Sequence, residues 1–191
     1  MNAVKFTSLA VALSLTLALI FLTFACNEAD KNTNAEPPIN QPKIDIQAAI
    51  MSDRIDIVKQ HIEAGTDLNQ QEQMSGSTPL ITATTFGKTA IASALIEANA
   101  DLSIKNNDGA TALHTAAFFC RIEIVQMLLD AKADKTIKNN FGATPRESVM
   151  GSFAEIKPFY EMLQQQLSPL GLQLDLNEIE TTRPVVAMML Q

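Results

Sequence analysis

The chain has 191 residues, of which 47% are hydrophobic, and it carries a formal net charge of −7 at pH 7. A chain of this size and composition can form one globular domain. Nucleic-acid binding depends on clustered Lys and Arg side chains, and this sequence has no such cluster. We therefore exclude nucleic acid as an expected partner and interpret the acidic charge as a contribution to solubility.

Residues 1–25 have the pattern of an export signal. Met1–Lys5 carries one positive charge, and Phe6–Ala25 is an uncharged apolar run followed by a polar segment, which is the arrangement of a secretory leader. The letters LTFA directly before Cys26 resemble a bacterial lipobox. That resemblance implies that Cys26 receives lipid and becomes the mature N-terminus.

Two other interpretations of the leader remain open. An apolar run of about 20 residues is long enough to span a bilayer without being cleaved, and Ala25 could instead end an ordinary signal peptide. Each of the three interpretations places the remaining chain outside the cytoplasm. We expect a location in the cell envelope or periplasm, with a lipid anchor, an uncleaved N-terminal helix or secretion as the variants.

Residues 26–43 have the composition of a flexible linker. The segment contains three prolines and almost no apolar residues, so it cannot bury enough surface to order itself. With lipid on Cys26, such a linker would hold the following domain clear of the membrane surface.

A fixed period of 33 residues organises the middle of the chain. The positions that keep this spacing are Gly76, Gly109 and Gly142, then Thr78, Thr111 and Thr144, and finally Asp101 and Asp134. Each period contains a polar turn and two short segments with helical apolar spacing. A period of this length with two helices per unit is typical of a solenoid.

The residues at this period resemble the ankyrin repeat. The resemblance is carried by STPLITATTFG from Ser77, ATALHTAAFF from Ala110 and ATPRESV from Ala143. It implies an all-α solenoid of helical hairpins with short β-turn tips, about four repeats over residues 44–168. It also implies that a partner protein docks on the turn tips and the concave face.

Several residues predict where helices begin. Thr78 is an N-cap with Pro79 at the first helical position, where the missing amide hydrogen costs nothing. Thr144 and Glu147 have the spacing of a capping box. The resemblance assigns His114 a hydrogen bond that braces its turn, and Ile81 replaces that histidine in the preceding repeat, so we expect a looser turn there.

Other residues predict where helices end. Gly65 stands where a left-handed backbone ends a helix, and Asn99 and Lys132 occupy the matching position in later repeats. Cys120 replaces the glycine that the resemblance places between helices. If these positions keep a positive φ, each residue other than Gly costs on the order of 1 kcal/mol.

The C-terminal part departs from the repeat pattern after Met150. We expect a helix that restarts at Pro158 and runs to Leu167, followed by a capping segment over residues 169–191. Pro184 fits the start of a short helix. The side chains expected to cover the end of the solenoid are those of Val185, Met188 and Met189.

The sequence shows no arrangement typical of catalysis. His61 and His114 are the only histidines, and on one helix His114 and Cys120 would point to different faces. No spacing typical of a zinc, calcium or phosphate site occurs. We predict a protein without catalytic residues, metal or cofactor, in which Cys120 is a free, largely buried thiol.

The predicted function is that of a non-catalytic protein-binding scaffold at the bacterial cell envelope, itself monomeric, with another exported protein as its partner. Exposed aromatic residues are common anchors at interfaces, although Phe118 and Phe119 could equally pack as core. Two alternatives remain: an enzyme or ligand receptor in the segment from Gly151 on, or a purely structural envelope lipoprotein. The predicted partner-binding residues are Phe86, Lys105, Asn107, Asp108, Phe118, Phe119, Asn140 and Phe141.

Overall fold

Helices make up the regular secondary structure in the part of the chain that the computed structural model describes, residues 42–191. The predicted export signal, Cys26 and most of the predicted linker lie outside the described residues. The helices are α1 Ile46–Met51, α2 Ile55–Glu63, α3 Pro79–Thr85, α4 Thr89–Glu97, α5 Ala112–Phe118, α6 Ile122–Asp130, α7 Glu147–Met150, α8 Phe153–Leu167 and α9 Leu176–Met189, with a 3-10 helix at Ser168–Leu170.

The helices stack in two layers. Helices α1, α3, α5 and α7 contact one another in sequence order and form the first layer. Helices α2, α4, α6 and α9 form the second in the same way. The predicted all-α solenoid is therefore confirmed, and the fourth hairpin consists of α7 and α9, with α8 inserted between them.

The repeat core lies between the two layers. The residues from Pro79 to Thr84 in α3 and from Ala112 to Ala117 in α5 are all buried, because these helices have neighbours on both sides and the second layer behind them. Small side chains such as Ala83 and Ala116 let the first-layer helices approach closely, and Leu95 and Leu128 fill the space between the layers.

Side-chain caps begin two of the first-layer helices as predicted. The Thr78 hydroxyl accepts a hydrogen bond from the amide of Ile81 at 3.3 Å, and Pro79 follows at the first helical position. The Thr144 hydroxyl accepts from the amide of Glu147 at 3.3 Å. The Glu147 carboxylate accepts from the Thr144 amide at 2.7 Å in return, so the capping box is confirmed.

The predicted left-handed residues at the helix ends are also confirmed. Asn99, Cys120 and Lys132 have φ values of 61°, 52° and 65°, and Gly65 has a φ of 69°. Asp53, with a φ of 56°, is a fourth residue other than Gly with a positive φ. The array therefore tolerates strain on the order of 1 kcal/mol at each of these residues other than Gly.

Both C-terminal helices begin earlier than predicted. Helix α8 begins at Phe153 and runs through Pro158, and α9 runs through Pro184. Asp175 starts α9 because its carboxylate accepts from the amides of Asn177 at 3.0 Å and Glu178 at 3.1 Å. Each internal proline removes one backbone hydrogen bond, and the surrounding packing outweighs that loss.

The predicted face of α9 is wrong for two of its three residues. Val185 and Met188 point to solvent, with 40% and 59% of their surface exposed. Met189 is partly buried against the repeat core. The buried face instead follows helical spacing from the earlier start of α9, and it consists of Ile179, Arg183, Val186 and Leu190.

Candidate partner-binding surface

The turns that precede α3, α5 and α7, which we call the first, middle and last tips, form a row. Asparagine side chains hold this row together. The backbone and side-chain amides of Asn107 donate to the carbonyl oxygens of Ser75 at 2.8 Å and Met74 at 3.0 Å. One repeat further on, Asn140 donates in the same way to Asp108 at 2.9 Å and to Asn107 at 2.9 Å. Each tip is therefore fixed against its neighbour.

Glycine is required where these tips meet. Gly76 and Gly109 have φ values of 69° and 72°, a conformation that costs little only without a Cβ. A Cβ added at Gly109 would collide with the side chain of Asn140, and one at Gly76 would lie 2.5 Å from the side-chain oxygen of Asn107. Gly76 and Gly109 are thus needed for close approach as well as for backbone geometry.

The middle and last tips are also each closed internally by an asparagine that sequence reasoning missed. The side-chain oxygen of Asn106 accepts from the amides of Asp108 at 3.0 Å and Ala110 at 2.9 Å. The side-chain oxygen of Asn139 does the same for the corresponding residues of the next tip. Their 33-residue separation was the signal that could have identified them.

The predicted polar tip residues divide into two groups. Lys105, Asn107 and Asn140 are exposed, but their side chains bond to neighbouring turns, and Lys105 Nζ donates to the carbonyl of Lys138 at 2.9 Å. Their main observed role is therefore to align the tips, which the sequence did not predict. Asp108 is exposed and presents its carboxylate at the middle tip.

Two large apolar side chains stand at the ends of the row. Phe141 is 81% exposed on the last tip, and Met74 is 92% exposed on the first. The exposure predicted for Phe141 is confirmed. Met74 was not among the predicted residues, because it lies 33 residues before Asn107, at the position where the later tips carry asparagine.

His114 braces its turn as expected. Its Nδ1 accepts from the amide of Thr111 at 3.2 Å, which leaves the proton on Nε2, and Nε2 donates to the carbonyl of Ala143 at 3.1 Å. Burial holds the pKa of His114 below its usual value, so the imidazole is neutral at pH 7. This neutral ring joins the third repeat to the fourth.

The turn before Ile81 is braced by other residues and is not left loose. Gln71 donates its side-chain amide to the carbonyls of Gly76 at 2.6 Å and Lys105 at 2.8 Å. The Glu72 carboxylate accepts the amide of Met74 at 2.7 Å. These bonds replace the histidine bridge, so the expectation of a looser turn is wrong.

The aromatic residues at the ends of α3 and α5 do not form an exposed row: Phe118 and Phe119 take the core packing that had been left open for them, and the exposure predicted for Phe86 is wrong. Phe119 is only 7% exposed, and Phe86 and Phe118 are partly buried. All three belong to one cluster with Tyr160, whose ring stacks on that of Phe118 with a centroid separation of 4.5 Å. The C-terminal segment of the same chain therefore covers the surface that we assigned to a partner.

Cys120 is a free thiol whose surroundings do not favour a nucleophilic thiolate. Burial raises its pKa to about 11, so the thiolate is scarce at neutral pH. Cys120 Sγ lies 3.7 Å from the carbonyl oxygen of Ile179, whereas His114 bonds to Thr111 and Ala143. His61 is also engaged, with Nε2 2.8 Å from the carbonyl of Ile44.

Two concave sites adjoin the C-terminal segment. The smaller, about 30 Å³ between Cys120 and Glu178, has room for little more than a water molecule. The larger is an open groove of about 470 Å³ between α7 and α9. Its buried polar side chain, Arg183, donates to the carbonyl of Gly151 at 3.0 Å and to the Tyr160 hydroxyl at 3.2 Å.

Residues 42–191 contain no group of three or more His, Cys, Asp or Glu side chains placed to hold a metal ion. None of the helices in this same range is long and apolar enough to cross a membrane.

Comparisons with known proteins agree with this geometry. The crystal structure of the ankyrin repeat domain of Bcl-3, described as a unique member of the IkappaB protein family, is similar, with 25% sequence identity and a TM-score of 0.52. The similarity covers 54% of this chain and 45% of that one. No curated protein matches the sequence. The family model for ankyrin repeats matches residues 46–139 in three copies, and this part of the chain therefore consists of ankyrin repeats.

Proposed function

We propose that this protein is a non-catalytic scaffold that docks a partner protein on its row of turn tips. Ankyrin repeats are generally protein–protein interaction modules, and fold alone does not name a site. The observation that carries the proposal is the hydrogen-bonded row of tips that ends in the exposed side chains of Met74 and Phe141.

The row suits binding because its order is established before the partner arrives. The first tip is closed by Glu72 and the other two by Asn106 and Asn139, and Asn107 and Asn140 tie each tip to its neighbour. Docking of a partner therefore costs little free energy for ordering the tips. Large apolar side chains that remain exposed on such a rigid support are typical interface anchors.

We further propose that the scaffold works at the bacterial cell envelope and that its partner is another exported protein. The apolar leader, the LTFA sequence before Cys26 and the proline-rich linker support this location. Intact mass of the mature protein tests it. Acyl chains on Cys26 are the expected result, and a mature chain that begins at Met1 would exclude lipid at that residue.

Substitution at the tips tests the docking surface. Replacing Met74 and Phe141 with Ala should reduce partner capture from envelope extracts by about tenfold or more, as expected when anchors worth about 1.4 kcal/mol or more are lost. Thermal unfolding should change little, since both side chains are exposed. Quantitative mass spectrometry of the captured proteins measures the effect.

Met188→Ala provides the matched control. Met188 is 59% exposed on α9, and its loss should leave capture unchanged. Equal capture by the wild-type protein and the tip variant would contradict the proposed surface.

A further inference from the structure

The C-terminal segment packs on the repeats through a hydrophobic cluster of its own. The repeat core is one cluster, and a second, which we call the aromatic cluster, joins the ends of α3 and α5 to α8, α9 and the segment between them. The buried members of the aromatic cluster are Phe119, Tyr160, Leu172, Leu174 and Ile179, and its partly buried members are Phe86, Phe118, Cys120, Phe153, Ile156, Leu163, Leu167 and Leu176.

Tyr160 is the centre of this contact. It is fully buried, and its hydroxyl donates to the backbone carbonyl of Phe118 at 2.5 Å. Its ring stacks on Phe118 and lies edge-on to Phe119 at a centroid separation of 6.5 Å. A buried aromatic side chain with one satisfied polar atom is the usual anchor of a protein interface.

Helix α8 presents the pattern of an amphipathic ligand helix. Ile156, Tyr160, Leu163 and Leu167 recur at intervals of four, three and four residues and all join the aromatic cluster, so they share one helix face. Helices that bind in a groove are recognised by anchors at this spacing.

The same helix has few other sources of stability. Its first residue has no side-chain cap, and Pro158 lies inside it, which removes one backbone hydrogen bond. A 15-residue helix of this kind is marginal in isolation. Its order therefore depends on its contacts in the aromatic cluster, with the repeats on one side and α9 on the other.

The fourth hairpin is complete without α8. Helix α9 packs against α6 and α7 and joins the repeat core through Val186 and Leu190. Helix α8 leaves this stack at Gly151 and Ser152, both exposed. Arg183 of α9 holds it in place by donating to the Tyr160 hydroxyl and to the carbonyl of Gly151.

We propose that α8 is an intramolecular occupant of a helix-binding groove on the ankyrin repeats, formed by Phe86, Phe118 and Phe119. The partner that this groove takes is an amphipathic helix with a tyrosine anchor and aliphatic side chains three and seven residues later. Such a helix displaces α8 from the aromatic cluster. This inference rests on the proposed scaffold function and adds the class of partner segment.

A peptide in trans tests the groove. The probe is a fluorescein-labelled peptide of residues 152–171, titrated against the full chain and its Tyr160→Ala variant by fluorescence anisotropy. Tethered α8 competes in the wild-type protein at an effective concentration on the order of millimolar. The peptide should therefore bind the variant at least about tenfold more tightly than the wild type.

Two controls make this result specific. The peptide that carries Tyr160→Ala should bind neither protein, and adding Phe118→Ala to the variant chain should abolish binding of the unmodified peptide. Equal binding of the unmodified peptide to wild type and variant, or no binding to a variant that keeps its helical circular dichroism, would overturn the proposal.

Hydrogen exchange of the wild-type chain keeps the test decisive if the variant does not fold. The amides of α8 should exchange at least about tenfold faster than those of α5. The reason is that α8 detaches while the repeats stay folded. Equal protection of the two helices would overturn the proposal. Tip-dependent capture is measured separately with the Met74 and Phe141 substitutions, so the groove can fail while the scaffold function stands.

Discussion

The repeats and the C-terminal segment hold their shape in different ways. In the repeats the same contacts recur every 33 residues, as in the bonds from Asn107 and Asn140 to the preceding tips. In the C-terminal segment single side chains hold the structure, above all Tyr160 and Arg183. The repeats thus form a rigid platform, and the segment from Gly151 is attached to it at a few points.

Loss of a buried leucine should show the largest difference in stability between the two regions. Leu113 and Leu172 are both essentially buried, at 0% and 1% exposure, but Leu113 belongs to the repeat core and Leu172 to the aromatic cluster. We expect Leu113→Ala to lower the free energy of global unfolding by about 3 kcal/mol. Leu172→Ala should mainly speed hydrogen exchange in α8.

Urea unfolding and hydrogen exchange of these two variants measure the contrast. An equal fall in the global unfolding free energy of both would mean that the two regions unfold as one unit.

Alkaline pH should weaken the C-terminal contact next. Burial raises the pKa of Tyr160 to about 12, whereas a free phenol ionises near pH 10. The stabilisation that the neutral Tyr160 phenol contributes to the folded state is thus fully present below about pH 10. It is lost as pH rises to about 12, on the order of 2–3 kcal/mol in total. Tyr160 is the only tyrosine and there is no tryptophan, so phenolate absorbance reports this group alone. A midpoint near 10 in the folded protein would contradict its burial.

Substitution of two tip glycines should distinguish backbone strain from contact between neighbouring tips. Gly109 and Gly142 both have positive φ values, but a Cβ at Gly142 meets nothing within 4 Å, whereas one at Gly109 collides with Asn140. We expect Gly142→Ala to cost about 1 kcal/mol through strain. Gly109→Ala should cost about twice that because the clash adds to it.

Thermal unfolding of the two glycine variants supplies the comparison. If Gly109→Ala proved no more harmful than Gly142→Ala, the tips would not be in close contact.

Mild acid should have the smallest effect, at the third repeat. The unfolded chain protonates His114 near pH 6.5, whereas folded His114, whose pKa burial lowers, binds that proton only at lower pH. The unfolded state then holds more protons, so stability falls as pH drops below about 6.5.

His114→Gln should remove this part of the slope between pH 7 and pH 5. The other titratable groups, including His61, remain in both proteins. Parallel stability profiles for the two proteins would show that His114 is not held neutral by the fold.

The sequence predicted the repeats well because their determinants are local. The helix caps join residues that are three apart in the sequence, Thr78 with Ile81 and Thr144 with Glu147. Cys120, where glycine is usual, takes the expected left-handed conformation. Period and caps therefore sufficed for the fold.

The C-terminal segment was less predictable because its determinants are distant. Tyr160 bonds to Phe118 over 42 residues, and no period marks such a pair. Pro158 and Pro184 suggested helix starts that tertiary packing and the Asp175 cap override. For the same reason the burial of Phe119 could not be read from its place in the repeat. The exposure of Phe141 could be predicted from its place at a turn tip, which lies at the surface.

Photocrosslinking from the last turn tip tests the central claim most directly. A full chain with p-benzoylphenylalanine in place of Phe141 should crosslink to one partner protein in envelope extracts, whereas the same group in place of Met188 should not. Crosslinks to that partner from position 188 and none from position 141 would contradict docking on the row of turn tips.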